Sequence, residues 1–278
     1  GFLMKTCLVL FRMDIASAMH SKWFWGYSLV VIAGIIGIFA AGVTDSRVMG
    51  FTGLTRLLLI FIQACNLVLP IFILVSTVRT LVKERETNVF EYLLSYPVSP
   101  AQYYWAKALS RFVLITVPLL VALAAAVALS VIRSQAVPWS LVALYAGLLT
   151  VNSLYYIGVS FLLSSCVKTQ EQGLAFAFFV WLLFVAFLDI VLLGLLIQAL
   201  VPENVIYFLA CINPIQIFKI AAISLFDPVL SVIGPAAYFI LDSFGNSGLI
   251  AYAFTYLGVF GLLFLLVGYV VFSRKDLI

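Results

Sequence analysis

Long apolar runs separated by short polar connections dominate this chain. Six runs are long enough to cross a bilayer as helices, because about 20 apolar residues span the hydrocarbon core. The alternating strands typical of a membrane barrel are missing from the sequence. The pattern predicts an all-α integral membrane protein with a single transmembrane domain over residues 1–278. The six predicted spans are 24–43, 57–78, 108–132, 139–166, 174–200 and 249–272.

Composition supports the same class. Of the 278 residues, 65% are hydrophobic and only 9% are charged, whereas soluble domains carry about 25% charged residues. No stretch has the mixed composition of a soluble domain. The first methionine, Met4, is a candidate for the natural start of the chain.

Basic residues are distributed unequally between the two sides of the predicted bundle. With six spans, both termini lie on one side, which holds eleven of the fifteen Lys and Arg residues. This asymmetry predicts cytoplasmic termini and a cytoplasmic 79–107 connection. Basic residues at the cytoplasmic face set the topology and contact anionic headgroups, which explains the net charge of +4. No nucleic-acid partner is therefore predicted. The four residues on the other side are Arg47, Arg56, Arg133 and Lys219.

Residues 5–22 precede the first span and have a helical pattern. Leu8, Phe11, Ile15 and Ala18 recur at i, i+3 and i+4 spacing, with Arg12 set apart from them. The pattern predicts an amphipathic helix on the membrane surface, in preference to a flexible apolar N-terminus.

The segment between spans five and six is unusual. Residues 201–248 contain apolar pieces of about ten residues separated by prolines and glycines. Each piece is too short to span, yet it is too hydrophobic for a solvated loop. We expect re-entrant or interfacial half-helices at the outer surface, because non-helical backbone at membrane depth must be buried in protein or face water.

Catalytic and metal-binding motifs are missing from the sequence. His20 is the only histidine, which argues against paired zinc ligands and against a Ser-His-acid site. No GxxxxGK[ST] loop is present, and the four cysteines form no CxxC pair. We therefore predict no catalytic residue, no metal site and no cofactor bound by this chain.

Four of the polar residues within the predicted spans are candidates for function or for contacts between helices. Asp189 lies in the fifth run, where a carboxylate at the helix centre costs about 2.5–3.5 kcal/mol. It could line a conduit or couple to protons, or it could cap a broken helix near the outer boundary. Gln63, Asn66 and Asn152 are better explained by hydrogen bonds between helices than by substrate binding.

A charged elbow, residues 83–97, follows span two. Its charged residues extend the helix out of the membrane, Asn88 tolerates the left-handed conformation that ends a helix, and Pro97 and Pro100 stop a second short helix. That short helix carries an apolar face. A topology loop needs only Lys and Arg, so the acids and the apolar face favour a partner-binding role. The residues that we assign to it are Lys83, Glu84, Arg85, Glu86, Asn88, Phe90, Glu91, Leu93, Leu94 and Pro97.

The stretch "KERETNVFEYLLSYPVSPAQYYWAK" resembles the intracellular coupling segment of ABC-2 type permeases. One difference from that family is Asn88, which occupies a position where glycine is usual. "FRMDIASAMHSKWFW" also resembles the interfacial helix of that family. The resemblance implies a homodimer in the bacterial inner membrane. It docks a cytoplasmic ABC ATPase dimer through the elbow and the N-terminal helix, with ATP and Mg²⁺ in the ATPase.

Residues 212–245 resemble a narrower group, the NosY-type permeases of the copper ABC system that matures nitrous oxide reductase. That resemblance implies a periplasmic copper-handling partner above residues 201–247. Alternatives are an ABC-2 exporter of a drug, glycan or peptide, and a stand-alone channel or scaffold. The residues expected to face the outer partner are Asn213, Pro214, Asp227, Gly234, Pro235 and Asp242.

Overall fold

A computed structural model describes residues 2–40, 53–87, 98–187, 194, 208–209, 211–226 and 235–275. Every regular element in these ranges is a helix, which agrees with the predicted all-α class. The helices are α1 (Phe2–Met19), α2 (Lys22–Ala40), α3 (Gly53–Glu86), α4 (Pro100–Ile132), α5 (Trp139–Cys166), α6 (Gln170–Leu182, continued by a π-helical turn, Leu183–Phe187), α7 (Pro214–Phe226) and α8 (Pro235–Lys275).

Four helical stretches are long and apolar enough to cross a membrane within the described ranges. They correspond to predicted spans two, three, four and six. The first and fifth predicted spans are described only in part, as shorter apolar helices over Phe24–Gly34 and Gln170–Val185, and they remain predictions. The four stretches are Leu58–Glu86, Pro100–Ile132, Trp139–Cys166 and Gly245–Arg274.

The start of α4 differs from the prediction, which began this span at residue 108. Ser99 caps the helix through a capping box, in which its hydroxyl accepts from the backbone of Gln102 and the Gln102 side chain accepts from the backbone of Ser99. Pro100 therefore occupies the first helical position, where its missing N–H costs nothing. Pro100 begins α4, and the short helix that it was predicted to stop lies outside the described residues.

The outer segment is partly as predicted. α7 is a short helix of 13 residues, and most of it is buried. The first part of α8, which begins at Pro235, is a second helical piece, and a kink separates it from the last span. The break occurs at Gly245, whose φ of 65° glycine adopts without a steric penalty.

Close helix packing holds the centre of the bundle together. α8 packs along α5, and the glycines at the crossing allow the two backbones to approach. A Cβ at Gly158 would overlap the carbonyl oxygen of Gly261, and one at Gly261 would lie 3.0 Å from the backbone of Tyr155. Such small residues are typical of contacts between membrane helices.

The N-terminal helix α1 packs mainly against α4. Phe11, Ile15 and Ala18 are half-buried, as expected for one side of an amphipathic helix, whereas Leu8 and Met19 are exposed. The inward-facing side is rotated relative to the predicted apolar face, and it includes an acidic residue, Asp14. That rotation brings a carboxylate against the first turns of α4.

Candidate functional site

A partly buried ion cluster joins α1, the last turn of α3 and the start of α4. Lys107 of α4 places its Nζ 2.6 Å from Asp14 Oδ1 and 2.6 Å from Glu84 Oε1. Arg111, one turn further along α4, places its Nε 3.9 Å from Asp14 Oδ2. The exposed fractions are only 8% for Asp14, 15% for Lys107 and 23% for Glu84, so each charge depends on the others for stabilisation.

Two hydroxyl groups complete this ion cluster. Tyr103 donates a hydrogen bond to Glu84, and Ser110 donates one to Asp14. Burial alone would raise the pKa of Asp14, but the charges of Arg111 and Lys107 outweigh it and hold the pKa below its usual value. Asp14 is therefore a carboxylate near neutral pH, and it attracts both cations.

The next residues of α3 contact the connection between α5 and α6. Arg85 Nη1 donates to the carbonyl oxygen of Val167 at 2.9 Å. Glu86 accepts from both the backbone N and the side-chain Nε2 of Gln170, at 2.9 and 2.6 Å. The last turn of α3 is thus tied to a second polar connection as well as to α1 and α4.

The C-terminal part of α8 reaches the same end of the bundle. Phe272 stacks on Tyr103 with ring centroids 6.1 Å apart and an interplanar angle of 17°. The N-terminal helix, the end of α3 with the start of α4, the α5–α6 connection and the end of α8 therefore meet at one end. These are the four stretches that the sequence places together on one side of the membrane, and we call this the basic end.

The structure describes the first four residues of the charged elbow. Glu84, Arg85 and Glu86 make the contacts above, and the side chains of Lys83 and Glu86 are exposed. Six of the predicted residues lie outside the described ranges, and their role remains a prediction. They are Asn88, Phe90, Glu91, Leu93, Leu94 and Pro97.

The polar residues predicted within the spans have different surroundings. Gln63 is exposed on α3, whereas Asn66 and Asn152 are buried. Within the described part of the chain, the Asn152 amide has no hydrogen-bond partner, so the predicted bond between helices is not seen there. Asp189 lies outside the described residues.

Asn213 and Pro214 differ from their predicted role as partner-facing residues, because both are buried. The Asn213 side chain donates to the carbonyl oxygen of Phe184 at 2.9 Å and accepts from the backbone N of Ile215 at 3.0 Å. It thus anchors the start of α7 to the π-helical turn. Pro235 and Asp242 belong to α8, and Asp227 and Gly234 lie outside the described residues.

Sequence reasoning missed most of this ion cluster. Asp14, Tyr103, Ser110 and Arg111 were not predicted as site residues, and Lys107 was included only as the last residue of the stretch that resembles the coupling segment. One signal was present: Asp14 lies three residues after Phe11 and four before Ala18, on the helix side predicted to be apolar. An acid there requires a cation from another element.

Comparisons with known proteins find similarity along nearly the whole chain. The model of the ABC-2 family transporter protein family matches residues 8–277. The chain is similar to the "Probable ABC transporter permease protein NosY" of Stutzerimonas stutzeri, at 23% identity over 80% of this chain and 83% of that protein. It is also similar to the protein of the same name from Pseudomonas aeruginosa, at 21% identity over 78% of this chain and 81% of that protein.

Proposed function

The chain belongs to the ABC-2 family of transporter proteins, and from this premise we propose that its basic end couples the bundle to a separate cytoplasmic ABC ATPase. As a permease subunit it is a transmembrane component, and the hydrolysis of ATP requires another chain. The charged elbow and α1 provide the docking surface in this proposal. ATP and Mg²⁺ are bound by the partner.

The ion cluster is the observation that carries this proposal. An isolated topology loop gains little from burying two carboxylates and a lysine, since desolvating charges is costly. Here the Lys107 ammonium lies between Asp14 of α1 and Glu84 of α3. A displacement of the elbow would therefore act on α1 and α4 together, and the contacts of Arg85 and Glu86 would extend it to α5 and α6.

Reversing the charge of Glu91 tests the docking role. Glu91→Lys is expected to reduce the ATP hydrolysis that depends on the permease at least tenfold, because an acidic contact for the ATPase becomes a repulsive one. The ATPase rate of the reconstituted complex measures this. Glu91 is a sharper choice than Glu84, since reversing Glu84 would also disrupt the ion cluster.

The matched control is Glu203→Lys, the same change on the predicted opposite side of the membrane. We expect it to leave hydrolysis unchanged. If the complex with Glu91→Lys also hydrolyses ATP at the wild-type rate, and the variant inserts normally into the membrane, the elbow is not the docking surface.

The narrower proposal assigns the complex to copper-site maturation of nitrous oxide reductase, as a homodimer below a periplasmic copper-handling protein. The resemblance of residues 212–245 to NosY-type permeases and the similarity to two proteins named NosY support it. In this reading the permease transmits movement to the partner or transports a cargo. Deleting the chain should then leave nitrous oxide reductase deficient in copper, whereas a normal copper content would favour an exporter of another cargo.

A further inference from the structure

A cleft of about 1060 Å³ opens at the basic end between α1, α3, the start of α4 and α6. One part of its wall is the ion cluster described above. The rest of the wall divides into a basic portion on the last turns of α3 and an apolar portion deeper along the same helix. The cleft is therefore amphipathic along its length.

The basic portion has an excess of positive charge. Lys107 pairs with both acids of the cleft, Asp14 and Glu84. Arg79 and Lys83 also line the cleft, and both are exposed. They are four residues apart, so they lie on the same face of α3. No carboxylate in the described ranges lies within ion-pair distance of either residue.

The distance from the apolar portion to the basic portion matches the depth of one membrane leaflet. Val68, Ile71 and Phe72 line the cleft from α3. Arg79 lies eleven residues after Val68, a rise of roughly 16 Å at 1.5 Å per residue, and half of the hydrocarbon core is about 15 Å. Phe178 contributes an apolar side chain from α6.

We propose that this cleft binds an anionic phospholipid from the adjoining leaflet. Its phosphate contacts Arg79 and Lys83, and an acyl chain lies along the apolar face of α3. A guanidinium can donate two parallel hydrogen bonds to a phosphate, and the ammonium adds a mobile second charge. The apolar wall favours a lipid over a free phosphate, because a free anion would gain nothing from it. The bound lipid would bridge α1, α3 and α6 beside the ion cluster.

Native mass spectrometry of the detergent-solubilised full chain tests this proposal by titration with phosphatidylglycerol and, separately, phosphatidylcholine. We expect the wild type to prefer phosphatidylglycerol. Replacing both cations, in Arg79→Gln/Lys83→Gln, should weaken its binding roughly thirtyfold if each charge contributes as basic residues do at anionic membranes. The single variants should each lose part of this affinity, and they guard against a folding defect in the double variant.

The matched control is Lys168→Gln/Arg274→Gln, which removes one exposed lysine and one exposed arginine that do not line the cleft. Its affinity for phosphatidylglycerol should stay within about twofold of wild type. An equal loss in the control would show a general surface-charge effect, and no loss in either double variant would exclude the site. Displacement of the lipid by soluble glycerol 3-phosphate at similar concentration would assign the cleft to a free phosphate and overturn the lipid proposal.

Discussion

Replacing Lys107 with methionine should lower the free energy of unfolding by about 3 kcal/mol, since removing one member of a buried ion pair leaves uncompensated charge. Methionine keeps most of the length of the side chain but leaves Asp14 and Glu84 without the ammonium that lies 2.6 Å from each. Arg111, at 3.9 Å from Asp14, replaces only part of that interaction. Titration with SDS in mixed micelles would measure the loss.

Lys168→Met provides the matched control, because Lys168 is exposed near the same end of the bundle. It should unfold within about 0.5 kcal/mol of wild type. The Asp14→Asn/Lys107→Met double variant should recover part of the stability lost in Lys107→Met, since one stranded carboxylate is then neutral. A Lys107→Met variant as stable as wild type would show that the ion cluster does not link α1, α3 and α4.

Substituting alanine for Gly158 is expected to destabilise the bundle by about 3 kcal/mol, at the upper end of the cost of overpacking. The added methyl group would overlap the carbonyl oxygen of Gly261, so α5 and α8 would have to move apart. Backbone atoms cannot yield as the end of a flexible side chain does. The variant would unfold at a lower SDS fraction than wild type.

Gly258→Ala separates this effect from the general consequences of adding a methyl group. A Cβ at Gly258 would lie 3.9 Å from Val151 Cγ1, which is an ordinary van der Waals contact. We expect this variant to match wild type or to be slightly more stable, because alanine is the better helix former. If Gly158→Ala and Gly258→Ala behave alike, the close α5–α8 crossing is not important for stability.

Hydropathy located the helices better than it located their ends. Apolar length predicted the spans that α3, α4, α5 and α8 contain, because hydrocarbon thickness sets that length. The ends depend on local chemistry that hydropathy does not measure. Charged residues continue α3 to Glu86, and the capping box at Ser99 starts α4 eight residues before its predicted span.

The ion cluster shows why the candidate site was harder to predict. Glu84 could be singled out because charge is rare in this sequence. Its partners could not, since Asp14 and Lys107 are 93 residues apart in sequence and meet only after α1 packs on α4. In the same way, the sequence gives no sign that Gly158 and Gly258 differ in their tolerance of a larger side chain. The difference comes from the crossing of α5 and α8, where a Cβ would overlap a backbone atom only at Gly158 of the two.

The most direct test of the coupling account is affinity capture of the tagged full chain from its own membranes, followed by mass spectrometry. The account predicts that an ATPase with a Walker-A loop is captured with the wild-type chain, with about one ATPase molecule for each molecule of the chain. The same ATPase should be strongly depleted with Glu91→Lys and retained with Glu203→Lys. Capture of the intact wild-type chain without any such ATPase would contradict the account and would favour a stand-alone channel or scaffold.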